Sequence, residues 1–164
     1  MPQPIIITMG DPSGIGPEVI VKAFAGGALS AVALPLVVAG DAGILRRAAD
    51  VCGIPVRPTA STDPSGNPLE LILNGRLVHI RPLSRLADGR SPFGRPDSCG
   101  GLAMASYIEW ACAECLAGRA AGMVTAPINK EVLRKAGFAY PGHTELLTER
   151  CGTADSVMML AGER

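Results

Sequence analysis

The chain has 164 residues, of which 48% are hydrophobic and 18% charged, and its formal net charge is zero. This apolar content suits one domain with a hydrophobic core and excludes intrinsic disorder. There is no basic excess to attract nucleic acid, and the apolar stretches are too short for a transmembrane helix. We therefore expect a globular domain that binds neither nucleic acid nor a membrane.

Short apolar runs alternate with helical patterns in the first part of the chain. Residues 5–9 are a β-branched run, which predicts a strand buried on both faces. A turn rich in Gly and Pro over 10–17 leads into a helical pattern over 18–24. A second strand is expected over 34–39, and Asp41 is expected to cap a helix that runs to about residue 51.

The middle of the chain is less regular. After a turn-rich loop over 61–68, residues 69–80 predict two extended runs joined at Asn74-Gly75, a hairpin signal. Residues 84–98 are polar and predict a long exposed connection. The longest helix is expected over 100–116. Its predicted apolar face consists of Leu102, Met104, Tyr107, Ile108, Ala111 and Cys115.

The last part of the chain continues the alternation. A core strand is predicted over 123–125, short helices over 129–136 and 144–150, and a further strand over 157–160. Strands that alternate with helices indicate an α/β fold with a mostly parallel sheet and helices on both faces. Because a helix should follow the last strand, we expect the chain to be truncated.

The five cysteines are irregularly spaced and form no disulfide framework, which suits a reducing compartment. The first residues lack the basic region of a signal peptide, so we expect a cytoplasmic protein. Cys112 and Cys115 lie deep inside a predicted helix, and a zinc site would require a second pair. Since Cys99 and Cys151 are isolated in the sequence, the pair is interpreted as structural.

Two loops that follow predicted strands are candidates for a ligand site, because ligands of open α/β sheets bind at the carboxyl ends of strands. Residues 10–18 read GDPSGIGPE, and their N–H groups could face an anion at the helix N-terminus. The glycine spacing is neither that of a Rossmann fingerprint nor that of a P-loop. The structural alternative is a tight turn in which Asp11 caps locally.

In residues 125–130 (TAPINK), Asn129 and Lys130 lie near the same edge, where Lys130 could bind phosphate or carboxylate or simply be exposed.

The third candidate is the segment 141–145, which reads PGHTE. It would place His143, one of two histidines, just before a helix N-terminus, where the imidazole can donate to a bound anion. The structural alternative is a turn capped by Thr144 with an incidental histidine.

Residues 8–18, 125–130 and 142–145 occur together in an order and spacing that resemble the 4-hydroxythreonine-4-phosphate dehydrogenase family of pyridoxal phosphate biosynthesis. Residues 157–162 (VMMLAG) resemble the strand that follows in that family. Members are about twice as long. The resemblance thus implies that residues 1–164 are the amino-terminal portion of a two-domain subunit with the isocitrate/isopropylmalate dehydrogenase-like fold.

The resemblance also implies a homodimer with active sites at its interface and assigns residues to ligands. His143 and Thr144 correspond to substrate-binding residues, and Lys130 and Asn129 are further candidates for substrate contacts. We take Asp11, Gly14 and Gly16 as candidate cofactor contacts for NAD or NADP. The divalent metal (Zn, Mg or Co) is held in the family by three histidines, all of which would lie beyond Arg164, so no metal ligand is expected within 1–164.

The implied activity is the NAD(P)-dependent oxidation and decarboxylation of 4-(phosphooxy)-L-threonine to 3-amino-2-oxopropyl phosphate, in vitamin B6 biosynthesis. One alternative is a sister dehydrogenase that acts on 4-phospho-threonate or 4-phospho-erythronate in sugar-acid catabolism. A phosphate-acyl transferase of related fold and a non-catalytic fragment that binds a phosphorylated ligand are two others. We expect residues 1–164 alone to have no dehydrogenase activity, because the metal site lies elsewhere.

Overall fold

The computed structural model describes residues 2–86, 90–138, 140 and 142–162. The strands are β1 (Ile5–Thr8), β2 (Leu36–Gly40), β3 (Val56–Pro58), β4 (Glu70–Leu73), β5 (Arg76–Pro82) and β6 (Gly122–Thr125). The helices are α1 (Gly16–Ala25), α2 (Ala42–Val51), α3 (Ser98–Leu116), α4 (Lys130–Lys135) and α5 (His143–Cys151). No helix in the described ranges is long and apolar enough to cross a membrane.

The strands form one sheet in the order β3-β4-β5-β2-β1-β6. β1 lies parallel to both β2 and β6, and β2 lies parallel to β5. The predicted hairpin is confirmed: β4 and β5 are antiparallel, and their turn has positive φ at Asn74 (47°) and Gly75 (80°), as a tight hairpin turn requires. Sequence analysis missed β3, which adds a short antiparallel strand beyond the hairpin.

Helices cover both faces of the sheet, as predicted. Ile6 and Ile7 are neighbours on β1 and point to opposite faces, yet both are buried. α1 packs against α2 and the β4–β5 hairpin, whereas α3 packs against β1, β2 and β6. Most buried side chains of both layers form one core around the central strands, and a smaller cluster between α3 and α4 consists of Met104, Ala105, Val132 and Leu133.

Two helix N-termini are fixed by aspartates, of which only Asp41 was predicted. Asp41 caps α2, as predicted, by accepting from the N–H groups of Gly43 and Ile44 at 2.9 and 3.1 Å. Asp97 caps α3 by accepting from Gly100 N at 2.8 Å, so this helix begins at Ser98, two residues before the predicted start. Both caps determine where the chain turns from a loop into a helix.

The predicted apolar face of α3 was wrong at one residue. Leu102 is 55% exposed, whereas Met104 and Tyr107 are fully buried. Leu102 precedes Met104 by two residues, which places it about 200° around the helix from that stripe. The hydrophobic side chain therefore points away from the sheet.

Three further expectations were also wrong. β6 is an edge strand rather than a core strand, and Val124 is 53% exposed, because β6 pairs with β1 alone among the described strands. Residues 157–160 form no strand: their side chains are 76–94% exposed, and no described strand pairs with them. The connection 84–98 is not simply exposed, since Leu86 and Ser91 within it are buried.

Candidate functional site

The first two candidate loops, residues 10–18 and 125–130, lie side by side at the carboxyl ends of β1 and β6. Since β1 and β6 are parallel neighbours, their carboxyl ends meet there, and Asp11 N donates a hydrogen bond to Pro127 O at 3.0 Å. Gly10 has a φ of +72°, and a Cβ at this position would lie 2.3 Å from Pro127 O. Only glycine permits this approach. The loops border an open surface cavity of about 470 Å³, lined by Asp11, Gly14, Ile15 and residues 127–131.

Asp11 forms the local cap that was considered as the structural alternative. Its Oδ1 atom accepts from Ser13 N at 2.8 Å and from Ser13 Oγ at 2.7 Å, and the residue is buried. The residue nevertheless lines the cavity. Asp11 therefore shapes the loop, and a contact between Asp11 and a cofactor stays a prediction.

The two glycines of the same loop are explained by close packing. A Cβ at Gly16 would lie 2.4 Å from Met9 O and 3.3 Å from Ala126 Cβ, so α1 can begin here only without a side chain. A Cβ at Gly14 would lie 3.3 Å from Asp11 Cβ. Their predicted role as cofactor contacts is not tested by this packing.

The second loop ends in the N-cap of α4. Asn129 Oδ1 accepts from Val132 N at 3.2 Å, which explains why α4 starts at Lys130. Lys130 is exposed and lines the same cavity as Asp11. It makes no salt bridge with any residue that the structure describes.

Lys130 connects the second loop with the third. A Cβ at Gly142 would lie 3.5 Å from Lys130 Cε and 3.7 Å from Lys130 Nζ, so the ammonium group lies beside the start of α5. Gly142 is the N-cap of α5 and offers no side chain to cap the helix. Its first N–H groups and the ammonium together favour an anion, and the Glu145 carboxylate already lies there, with Oε2 at 3.4 Å from the same Cβ position. Pro141, the first residue of the predicted segment, lies outside the described residues.

His143 is the first residue of α5, and its imidazole is partly buried. Burial lowers the pKa of His143, and the charge of Lys130 lowers this pKa further. The Nε2 atom is buried without a hydrogen-bond partner among the described residues. Buried polar atoms are usually paired, so the unpaired nitrogen is the strongest sign of a ligand position in this region.

Thr144 does not cap α5, so this prediction was wrong. Gly142 takes an extended conformation and the helix begins at His143, which makes Thr144 the second helical residue. Its carbonyl oxygen accepts from Thr148 Oγ1 at 2.7 Å. Thr144 remains next to His143 at the helix start, and its predicted contact with substrate is untested.

Arg47 is a residue near the site that the sequence did not reveal. Its guanidinium donates to Pro12 O at 3.0 Å and to Ser91 O at 2.7 Å, and it lies 4.4 Å from the centre of the Phe93 ring. Burial lowers its pKa. Arg47 thus ties the first loop to the connection before α3. Both acceptors are backbone carbonyls, so no residue type in the sequence marks this contact.

The described residues also bear on metals and thiols. No group of three or more His, Cys, Asp or Glu side chains in the described ranges is arranged to hold a metal ion. The divalent metal that the resemblance implies therefore finds no fitting ligand set in this part of the chain. Cys151 is not isolated, as the sequence suggested, because α5 packs against α3 and brings it near Cys112, whose pKa is raised by burial and raised further by Cys151.

Comparisons with known proteins agree with this fold. Residues 31–164 match the family described as pyridoxal phosphate biosynthetic protein PdxA. A 4-hydroxythreonine-4-phosphate dehydrogenase from Trichlorobacter lovleyi is 42% identical over 163 residues, which are 99% of this chain and 47% of the relative. A D-threonate 4-phosphate dehydrogenase from Cupriavidus necator is 38% identical over 98% of this chain and 47% of the relative.

Solved structures show the same relationship. The crystal structure of a 4-hydroxythreonine-4-phosphate dehydrogenase from Burkholderia phymatum is similar with a TM-score of 0.74 at 34% identity, over 94% of this chain and 45% of that protein. The enzyme of the same name from Klebsiella pneumoniae gives 0.71 at 38% identity, over 93% of this chain and 46% of that protein. The chain spans about half the length of these relatives. It belongs to the PdxA family of pyridoxal phosphate biosynthetic proteins.

Proposed function

We propose that this chain supplies the substrate-phosphate site of a dehydrogenase that oxidises and decarboxylates 4-(phosphooxy)-L-threonine to 3-amino-2-oxopropyl phosphate in vitamin B6 biosynthesis. The observation that carries the proposal is the meeting of Lys130, the start of α5 and the unpaired His143 Nε2 atom. The names of its relatives supply the substrate. The proposal includes a cytoplasmic homodimer with the active site at its interface.

The geometry suits the phosphate end of this substrate. The free N–H groups of α5 would donate to phosphate oxygens, and the Lys130 ammonium would add a positive charge beside them. The lowered pKa of His143 keeps its imidazole neutral near pH 7, where one ring nitrogen can donate. This set of donors is complementary to a phosphate monoester, which would take the place of the Glu145 carboxylate beside Gly142.

Holding the phosphate would orient the reacting carbon. Binding energy from a group remote from the reaction positions the substrate and lowers the barrier at the carbon that reacts. The secondary alcohol loses a hydride and a proton, and the resulting β-keto acid then loses its carboxylate as CO2 and takes up a proton at the carbon that carried it. NAD or NADP, when bound, supplies the hydride acceptor. No step is assigned to a metal, since the described residues offer no ligand set for one.

A second candidate is a dehydrogenase of 4-phospho-threonate or 4-phospho-erythronate. A relative named D-threonate 4-phosphate dehydrogenase matches this chain at 38% identity, which favours this candidate specifically. Phosphorylated threonine carries an amino group where phosphorylated threonate carries a hydroxyl group. The donors at α5 would bind the phosphate, which both compounds share.

Isothermal titration calorimetry of the 164-residue chain with each phosphorylated compound tests the proposed site. Lys130→Ala should weaken binding about tenfold, because a hydrogen bond to a charged group contributes about 1.5 kcal/mol or more. Lys135→Ala is the matched control: Lys135 lies on the same helix, and it is paired with Glu131 at 2.7 Å. Equal affinities of the two variants would contradict the site.

A second assay tests whether this chain binds the phosphorylated compound without catalysing its oxidation. With substrate, NAD or NADP and Zn²⁺, Mg²⁺ or Co²⁺ present, we expect the 164-residue chain to bind the phosphorylated compound without forming NADH or NADPH. Metal-dependent formation of the reduced cofactor by this chain alone would overturn that expectation. A preference in calorimetry for the threonine over the threonate compound would decide between the two substrate candidates.

A further inference from the structure

Three cysteines meet where α3 packs against α5. Cys112 is 3% exposed on α3, and Cys115 lies one turn further along the same helix. Cys151 is the last residue of α5 and is exposed. The two helices are in contact, and burial raises the pKa of Cys112 and of Cys115, which the nearby Cys151 sulfur raises further. The fold thus joins a buried thiol to an exposed one across two helices.

Neighbouring contacts hold the two thiols in this position. Arg150 precedes Cys151, and its guanidinium pairs with Glu109 on α3 at 2.5 Å. Glu109 lies three residues before Cys112, on the same side of α3. One turn earlier on α5, Leu146 is fully buried and anchors the helix. The register between the helices is therefore set by an ion pair and a core side chain, independently of the thiols.

The two thiols differ in reactivity. Burial raises the pKa of Cys112 to about 11, so this thiol keeps its proton. Cys151 is open to small oxidants from solvent and has Arg150 next to it in the chain. Its exposure therefore makes Cys151 the thiol that an oxidant in solvent reaches first.

We propose that Cys112 and Cys151 are a site of reversible oxidation and form an intramolecular disulfide in the presence of a hydroperoxide. The Cys151 thiolate attacks one peroxide oxygen, the O–O bond breaks, and hydroxide leaves with a proton as water, which gives a sulfenic acid. The Cys112 sulfur then attacks the Cys151 sulfur, the S–O bond breaks, and a second water leaves with the Cys112 proton. Two thiols and one H2O2 thus give one disulfide and two waters.

This modification is independent of the proposed dehydrogenase activity. It would link the end of α5 to α3, whereas His143 and Thr144 lie at the opposite end of α5. The disulfide would therefore restrain the helix that carries the candidate phosphate site without occupying that site.

The test is oxidation of the 164-residue chain with stoichiometric H2O2, followed by alkylation and peptide mapping without reductant. We expect two free thiols to be lost per chain, a fragment in which Cys112 is linked to Cys151, and full recovery with dithiothreitol. Cys115→Ser should keep the linkage, and Cys112→Ser should abolish it. Cys151→Ser changes only an exposed position, so loss of the linkage in this variant is not attributable to misfolding.

Three results would overturn the proposal. They are the absence of a linked fragment at full thiol oxidation, a linkage that persists in Cys112→Ser through Cys115, and thiol loss that dithiothreitol does not reverse. Each is read from the same peptide map, and none depends on binding of a phosphorylated ligand.

Discussion

Replacement of Gly10 by alanine should destabilise the protein through the junction of the two site loops. The residue has a φ of +72°, which costs an L-amino acid about 1–2 kcal/mol. The new Cβ would also lie 2.3 Å from Pro127 O and 3.0 Å from Ala126 C, both backbone atoms that cannot turn aside. Such overpacking adds about 1–3 kcal/mol. We therefore expect a total loss of about 2–5 kcal/mol.

Urea denaturation followed by the fluorescence of Trp110, the one tryptophan, measures this loss. Gly53→Ala is the matched control, because Gly53 also has a positive φ (66°) but nothing lies within 4 Å of the Cβ that alanine would add there. It should lose only the conformational contribution of about 1–2 kcal/mol. Equal destabilisation of the two variants would refute the argument that the β1 and β6 loops are held together by the contact at Gly10.

Three further predictions concern the α2 cap and α5. Asp41→Ala should lose about 2–4 kcal/mol of stability in urea, since Asp41 accepts from three backbone N–H groups, whereas the exposed Asp50→Ala should lose little. Leu146→Ala should lose about 2–5 kcal/mol and accelerate amide exchange throughout α5, with a smaller effect for the less buried Leu147→Ala. Because the folded-state pKa of His143 lies below its ordinary value of 6.5, its contribution to stability is complete above pH 6.5 and is lost as the pH falls below it. Melting temperatures of His143→Gln should therefore fall less in acid than those of the parent chain, and an unchanged acid dependence would contradict this.

Local chemistry made several features predictable. Asp41 lies before a helical pattern, and a cap needs only a side chain next to its own backbone. Asn74-Gly75 specifies a hairpin turn because both positions tolerate positive φ. The loops after β1 and β6 were expected at the same edge, since parallel strands share their carboxyl ends. These inferences required knowledge of a few neighbouring residues each.

Features that depend on distant partners were not predictable. Residues 123–125 have the composition of a core strand, but the position of β6 at the edge depends on which strands pair with it. Residues 157–160 have a strand's composition as well, yet no described strand lies beside them. A segment with strand propensity forms a strand only where another strand lies beside it and pairs with its backbone.

The same holds for the candidate site, where the sequence identified residues but not their contacts with distant parts of the chain. His143 and Lys130 were identified from their loops, but their proximity through Gly142 follows only from the packing of α4 and α5 around α3. The meeting of Cys112 with Cys151 has the same origin, since it joins residues that are far apart in the chain. Arg47 acts through backbone carbonyls, which carry no signal in a sequence.

The central claim is that the His143 imidazole and Lys130 hold the phosphate of the substrate, and imidazole NMR tests it most directly. The chain has two histidines, so His79 on β5 serves as an internal reference. On addition of 4-(phosphooxy)-L-threonine, we expect the His143 ring signals to shift, the pKa of His143 to rise, and the His79 signals to stay unchanged. Both His143 changes should be strongly reduced in Lys130→Ala. Saturable binding of the compound that leaves the His143 signals and pKa unchanged would contradict the account.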